Sequence, residues 1–498
     1  MPSFHGASDR TGDAQPLGSF APSGKFGRMF PTLKPFAPPV ARLVELGNAM
    51  VDPNTESADG DNPSVPSGFT YLGQFVDHDL TFDSTALQGA IVDPLALVNF
   101  RTPALDLDSV YGQGPSGQSY LYDRGAVETL PDGRFNFKAP DKFLLGITDE
   151  TDGIPALPND LPRSPIGLAI TGDPRNDENL IVAQTHVALL KFHNKVVDGL
   201  ASGKIPRLSP IRKSSFEEAR DIVIWHYQWI VLNDFLRRVI NPEPLEKILR
   251  HGRQFYKFTT EPFIPVEFSA AAYRLGHSMI RANYNYNRIF PDASLGLLFA
   301  FTAKSGDTLH VPSNWVIDWR RFYDIDIAIK PQASRKLDPF LADPLKNLPK
   351  VSQKELPNAP AKTDALAVRN LIRGRSLGLP TGQSIAQFMG LTPLTPAQVA
   401  TGSDGAVAKT LGFDLETPLW YYILKEAQVQ EQGKRLGKVG SLILAEVFVG
   451  LLEGDSSSFL ARNRTWKPTL PSRSTGNFKM ADLIRFMGDI SPIDGIKG

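Results

Sequence analysis

Apolar residues recur at helical spacing along most of the chain's long runs, and two-residue alternation is scarce. From Leu180 to Leu200 they return every three to four positions behind Asp177, so the spacing predicts a helix opening near Asp177. Ser215-Phe-Glu-Glu218 has the form of a capping box. The helix it opens is expected to run to about Ile240 and stop at Asn241-Pro242. Ile222, Ile224, Trp225, Trp229, Val231, Leu232 and Phe235 make it apolar nearly all round, which places it inside a large helical core. Phe268, Ala272, Leu275 and Met279 form the apolar stripe of another helix over 266–282. Further helices are expected at about 364–376, 417–431, 438–453 and 479–487, with Pro418 at a first helical position. Between these runs lie Pro- and Gly-rich stretches at 1–65, 128–165 and 330–362. The first reads as an irregular arm and the last as a surface excursion. The expected architecture is mainly α: one large helical domain over 66–498, with little β structure and long irregular connections, behind an N-terminal arm at 1–65.

Composition narrows the function. There is no cysteine, which excludes disulfides, zinc thiolates, iron–sulfur clusters, thiolate-ligated haem and cysteine nucleophiles. Lys and Arg number 53, as do Asp and Glu, and no long basic run is present, so no nucleic-acid partner is expected. No 18 consecutive residues are apolar, so no membrane span is expected. Residues 1–36 show neither an apolar signal core nor twin arginines. The expected location is cytoplasmic, or outside by a route that needs no signal.

The candidate chemistry lies in four places. In Gly73-Gln-Phe-Val-Asp-His-Asp79, read as helix, Gln74 and His78 share a face with Asp77 close by, while Asp79 points elsewhere. That suits chemistry on one side and a hard cation on the other; the alternative is a solvated acidic turn. In the loop from Arg101 to Gly114, Asp106 and Asp108 alternate, so both carboxylates can turn inward. Thr102 offers a hydroxyl and Ala104 a carbonyl, and with Asp79 these make an all-oxygen site suited to calcium. In Gly172-Asp-Pro-Arg-Asn-Asp-Glu-Asn179, Arg175 and Glu178 are three apart and can face one pocket, unless Arg175 is held in a capping network. On the 266–282 helix, Arg274, His277 and Arg281 are expected to share a face. A haem between His78 and His277 would use one imidazole as iron ligand and the other as proton carrier. A fixed positive charge is also needed as the O–O bond polarises, and Arg175 can supply it.

These blocks, in this order, resemble the animal-type haem peroxidases of the peroxidase–cyclooxygenase superfamily, in a bacterial-type member. Residues 73–79, 106–112, 172–178 and 273–280 carry the resemblance, followed by Asn370-Leu-Ile-Arg-Gly-Arg-Ser-Leu-Gly-Leu-Pro380. The resemblance implies His78 as distal base, Gln74 beside it, Arg175 as distal arginine and His277 as proximal ligand, with Asn370 accepting its ring N–H. It implies Arg274 and Arg373 at the cofactor, Arg274 on a propionate. Asp77 and Glu178 match positions that esterify haem b, giving up to two ester links. Asp79, Thr102, Ala104, Asp106 and Asp108 match a calcium site. The implied reaction uses hydrogen peroxide to oxidise halides, thiocyanate or small aromatic donors through a ferryl state. Asn179 replaces the Met that forms a third haem link in myeloperoxidase, so that link is expected to be missing, and Ser376 replaces the family's usual Asp. Two other readings remain: a fatty-acid dioxygenase of the same superfamily, or a non-catalytic haem- and calcium-binding adhesion protein. The dioxygenase's radical tyrosine would stand three residues before the proximal His, where this chain has Arg274 and only the neighbouring Tyr273 is a tyrosine.

Overall fold

The helical periodicity is realised, with breaks the sequence pattern does not show. The computed structural model describes residues 26–82, 99–123, 128–129, 135–136, 141–208, 213–302, 310–347 and 364–494. Among them the helices of eight residues or more are α1 (Val40–Ala49), α2 (Gly68–Leu80), α3 (Leu180–Ala201), α4 (Ser215–Ile230), α5 (Pro242–His251), α6 (Leu366–Ser376), α7 (Gly402–Thr410), α8 (Leu419–Glu431), α9 (Lys438–Gly454) and α10 (Met480–Met487). The described strands are short and pair two by two; the longest pairing sets β1 (Asp61–Pro66) antiparallel to β2 (Ala333–Arg335). The protein is mainly α. No described helix is long and apolar enough to cross a membrane.

The core forms where apolar helix faces meet: α3 packs on α2, α4 and α10, α9 on α5, and α1 on α6. One continuous cluster of buried apolar residues runs from Phe26 to Met487. α2 lies inside it, with Phe69, Leu72, Phe75, Val76 and Leu80 all buried. Each such side chain contributes about 1.5–3 kcal/mol over an exposed one. α2 begins with glycine because a Cβ on Gly68 would sit 2.5 Å from the Tyr323 ring and 2.6 Å from the Phe322 carbonyl.

Several expectations are corrected. The capping box of α4 is Ser214 with Glu217, one residue earlier than read. Two serines in a row followed by two glutamates make the signature twice; Glu218 is instead buried and accepts the Leu208 N–H. α4 does not continue straight to Ile240 but passes through a π-helical turn, Val231–Phe235, into a short helix, Leu236–Val239. Asn241-Pro242 ends that run and also starts α5, since the Asn241 side chain accepts the Glu243 N–H. The expected helix over 266–282 is a short turn, Val266–Ser269, and a 3₁₀ segment, Ala272–His277, kinked at Arg274. Arg281 accordingly leaves the face of Arg274 and His277 and binds Asp61 and the Ala333 carbonyl. α8 starts one residue later than read, with Pro418 as its N-cap. The arm is not irregular throughout, because α1 docks Leu43 and Leu46 into the core and β1 pairs with β2. Residues 330–347 are not a free excursion, since Ser334, Arg335 and Leu337 are buried; 348–363 lie outside the described residues.

His226 ties α4 to the chain's last quarter. Its Nδ1–H donates to the Ile222 carbonyl (2.7 Å), and its Nε2 accepts from Thr469 N (3.2 Å) and Leu470 N (3.3 Å). Burial pushes this imidazole down to about 4. Its folded value lies below the unfolded value of about 6.5, so the unfolded chain takes the proton first. The stability His226 contributes is complete above pH 6.5 and is lost as pH falls towards 4, by about 3 kcal/mol there. Thermal melts from pH 7 to 4 check this: a His226→Gln variant should lose that part of the acid slope.

Candidate active site

α2 carries the site because its apolar face is fully used by the core, leaving Gln74, Asp77 and His78 along one side. All three line a cavity of about 300 Å³ that Tyr273, Arg274 and His277 also line. Phe69, Phe235, Met279, Ile280, Phe299, Leu345 and Leu366 make much of the remaining wall apolar. The two histidines singled out from sequence thus face one space. The π turn delivers Phe235, whose ring would meet a Cβ on Gly73 at 3.1 Å.

His78 is buried, and its ring is held at both nitrogens. Nδ1 meets Asn176 Oδ1 at 2.9 Å, and Nε2 lies 3.2 Å from Glu178 Oε1. Gln74 donates through Nε2 to the same Glu178 oxygen and accepts at Oε1 from Asn179 Nδ2 (3.1 Å). Asn179 also caps α3, its Oδ1 accepting the Val182 N–H. On the other side Asn370 stands between Arg274 and His277. Arg274 Nη1 donates to its Oδ1 (3.0 Å), and its Nδ2 faces His277 Nδ1 at 2.7 Å. Asn370 was expected to accept the ring N–H; here the arginine occupies that oxygen and the amide nitrogen meets the imidazole. Burial, aided by the Arg274 charge, pushes His277 down to about 3, so it is neutral at ordinary pH. A neutral imidazole is the form that ligates a metal.

A second cavity of about 100 Å³ adjoins the first, sharing Asp77 and Arg274, and is also lined by Thr81, Arg175 and Arg373. Burial pushes the Arg274 and Arg373 guanidiniums down. Arg274 donates to the Ser269 carbonyl (3.1 Å) and to Asn370, neither of them a charged acceptor. Two imidazoles lining one largely apolar cavity, with guanidiniums lining the adjoining one, suit a flat apolar group that carries a metal and carboxylates.

Arg175 lines the smaller cavity and not the larger one. Its guanidinium binds Asp173 and the carbonyls of His78 (3.0 Å) and Thr81, closing the C-terminal end of α2. The Phe82 ring lies 4.6 Å from it. Burial alone would push the Asp173 carboxyl up, but the hydrogen bonds and charge of Arg175, then Arg101, hold it well below the usual carboxylate range. Glu178 lines the larger cavity, so the two residues of this turn face adjoining spaces.

Asp79 points away from both cavities. One oxygen each from Asp79, Asp106 and Asp108 lie within 4.8 Å of one another. Asp79 accepts from Leu107 N (3.2 Å), Ser109 Oγ (3.3 Å) and Tyr227 OH (3.2 Å). Thr102 Oγ1 donates to Asp106 (2.8 Å), and Ala104 is buried in the same loop. Leu107 turns the loop with a left-handed φ of 56°. Burial, then Asp108 and Asp106, push the Asp79 carboxyl well up; burial and Asp106 push Asp108 up to about 7. Arg101 is a cation beside them, at 3.2 Å from Asp108. The buried Asp79 and Asp108 and the half-buried Asp106, beside one arginine, offer the charge and oxygen donors that suit a hard cation.

The sequence model of the family described as animal haem peroxidase matches residues 83–463, most of the chain, starting just past α2. The chain belongs to the animal haem peroxidase family. Thyroid peroxidase of Homo sapiens is 27% identical over 338 residues, 64% of this chain and 34% of that protein. Chorion peroxidase of Drosophila melanogaster is 24% identical over 310 residues, 57% of this chain and 34% of that one. The chain spans about a third of the length of these relatives. Peroxidase A from Dictyostelium discoideum superposes with a TM-score of 0.58 at 17% identity, covering 92% of this chain and 90% of that one. Oryza sativa fatty acid alpha-dioxygenase superposes with a TM-score of 0.56 at 14% identity, covering 91% and 77%. At these identities the likeness is one of fold. Membership in the haem peroxidase family implies haem as the bound group, and the residues described above fit it.

Sequence reasoning passed over three residues of this site, and read a fourth, Asn179, only as the replacement for a linking Met. Asn176 was read only as part of a turn, yet it meets His78. His186, in the apolar run of α3, has its Nδ1 3.0 Å from Asn176 Nδ2. Tyr227 reaches Asp79 from α4, and Asn179 orients Gln74. The sequence signal for each was a polar residue inside an apolar run or turn, which does not name a partner.

Proposed function

We propose that the chain is a haem-dependent peroxidase that reduces hydrogen peroxide and oxidises halides, thiocyanate or small phenols. The observation that carries this reading is that His78 and His277 line one cavity, each ring backed by an asparagine. Haem bound there supplies the redox centre at which peroxide is reduced to water and the donor oxidised. His277 would hold the iron through Nε2, since its Nδ1 faces Asn370. Its ring proton would then sit on Nδ1, and the Asn370 amide would have to turn its oxygen from Arg274 to accept it. Arg274 and Arg373, which line the smaller cavity, would bind the carboxylates of the group. His78 Nε2 takes the proton of the incoming peroxide oxygen and returns it to the departing one. Gln74 Nε2 lies beside that atom as a donor to the oxygens or to a halide. Arg175 contributes a fixed positive charge from the neighbouring cavity. Asp77 and Glu178 line the cavity and are the carboxylates available for ester links to the haem. If acid–butanone extracts all haem from peroxide-treated protein, no such link exists.

Optical spectra of the haem-loaded chain before and after stoichiometric peroxide test the reading. A Soret band that shifts within seconds, and returns on adding iodide or a phenol, is expected; a band indifferent to peroxide would overturn it. One observation favours a second reading, fatty-acid oxygenation: Tyr273 lines the cavity, with its hydroxyl donating to the Gly73 carbonyl at 3.1 Å. Oxygen uptake with palmitate, without peroxide, would select it.

We further propose that Asp79, Asp106, Asp108 and Thr102 bind calcium, locking the loop to the end of α2 that bears His78. Calcium at a hundred times its Kd would stabilise the fold by about 2.7 kcal/mol. Chelation should therefore lower the Tm, calcium should restore it, and Asp106→Asn should remove the difference.

A further inference from the structure

The 3₁₀ turn Pro174–Asp177 and the residue after it grip His78 at three points. Arg175 binds its carbonyl oxygen (3.0 Å), Asn176 its Nδ1 (2.9 Å), and Glu178 lies at its Nε2 (3.2 Å). Asn176 has no exposed surface, His78 is 3% exposed and His186 is 2% exposed, so the two contacts of the Asn176 amide are shut off from bulk water. We propose that Asn176 is a positioning residue: by accepting from His78 it keeps a ring proton on Nδ1 and confines proton gain and loss to Nε2.

A carboxamide has a donor end and an acceptor end, so its two ends require opposite partners. Asn176 Oδ1 faces His78, whose Nδ1 must therefore carry a proton. Asn176 Nδ2 faces His186 Nδ1 at 3.0 Å, which must therefore be bare. Burial pushes His186 down to about 3, so it stays neutral and continues to accept. The turn that carries Asn176 is itself fixed, because Asn176 N donates to the Asp173 carbonyl (3.1 Å) and the Asp173 side chain accepts the Arg175 N–H. Without Asn176 the preference reverses. Nδ1 would lose its acceptor, while an Nε2 proton could still be donated to Glu178, filling the lone pair a base needs. One hydrogen bond is enough to change a tautomer ratio about tenfold. The use made of the Nε2 lone pair rests on the peroxidase reading; the placement of the Nδ1 proton does not.

The test is a long-range ¹H–¹⁵N spectrum of the full-length chain with ¹⁵N-labelled histidine rings at pH 8, with His78 assigned from a His78→Gln sample. The expected wild-type signature is a proton on Nδ1, whether or not Nε2, 3.2 Å from the Glu178 carboxylate, carries one as well. Asn176→Ala should move His78 towards the Nε2-protonated form. Asn176→Asp should keep the proton on His78 Nδ1, because a carboxylate still accepts from it, while His186 shifts its own proton to Nδ1 to meet the second oxygen. In the haem-loaded chain the rate of reaction with peroxide should follow the tautomer, about tenfold slower for Asn176→Ala and restored in Asn176→Asp, with the donor KM unchanged. A wild-type His78 protonated on Nε2 alone would overturn the proposal, and so would an Asn176→Ala protein with an unchanged signature. Should the alanine variant not fold, the wild type and the aspartate variant still decide the matter. A wild-type chain with the expected tautomer whose haem ignores peroxide would remove the peroxidase reading and leave the positioning role standing.

Discussion

His78→Gln should slow the reaction of the haem-loaded chain with hydrogen peroxide by about 10²–10⁴-fold, the usual contribution of a positioned proton carrier. Glutamine keeps a polar group of similar reach but has no lone pair that takes a proton near neutral pH. The environment that would lose its base is otherwise complete: Glu178 and Gln74 still bond to each other, and Arg175 still closes α2 through backbone carbonyls. Haem uptake should therefore be unchanged, and stopped-flow recording of the Soret band should show the slow reaction directly. A variant that reacts at the wild-type rate would assign the proton transfer to Glu178, the other titratable group at that position.

His277→Gln should weaken haem binding by more than about 100-fold, since loss of a partner behind a ligand already costs 10- to 100-fold. His277 is held neutral by burial and by Arg274, so its lone pair is available without displacing a proton to solvent. Asn370→Ala, which leaves the imidazole but removes its support, should show the smaller, 10- to 100-fold loss. Titration of the haem-free protein with haem, followed at the Soret band, separates the two. Equal losses for both variants would mean that Asn370 acts on the fold of α6 rather than on the ring. Together with the His78 result this divides the site into a binding side and a proton-transfer side.

How far these residues could be read from the chain differs from case to case. Gln74, Asp77 and His78 were legible because a helix puts positions four apart on one face, and α2 is a helix. Asp79, Asp106 and Asp108 were legible as oxygen donors, and they do meet. Arg274 and His277 line one cavity, but from a 3₁₀ segment kinked at Arg274 rather than from one helix face; the same break sent Arg281 elsewhere. The capping box of α4 was misplaced because two adjacent serines offer the same local bond, and only the burial of Glu218 decides between them.

The sequence by itself determined the helical class, the order of the chemical blocks and the residue types each block could offer. Those follow from periodicity and side-chain chemistry, which are local. Tertiary structure alone decided which groups share a partner. Asn176 and Asn370 each have two ends and several possible neighbours, and packing sets one end against an imidazole and the other against His186 or Arg274. It likewise turned Arg175 onto the end of α2, since a buried guanidinium goes where a carboxylate and free helix carbonyls converge. Hydrogen bonds between residues about a hundred positions apart leave no pattern in a single sequence, because the distance that makes them exists only after the helices have packed.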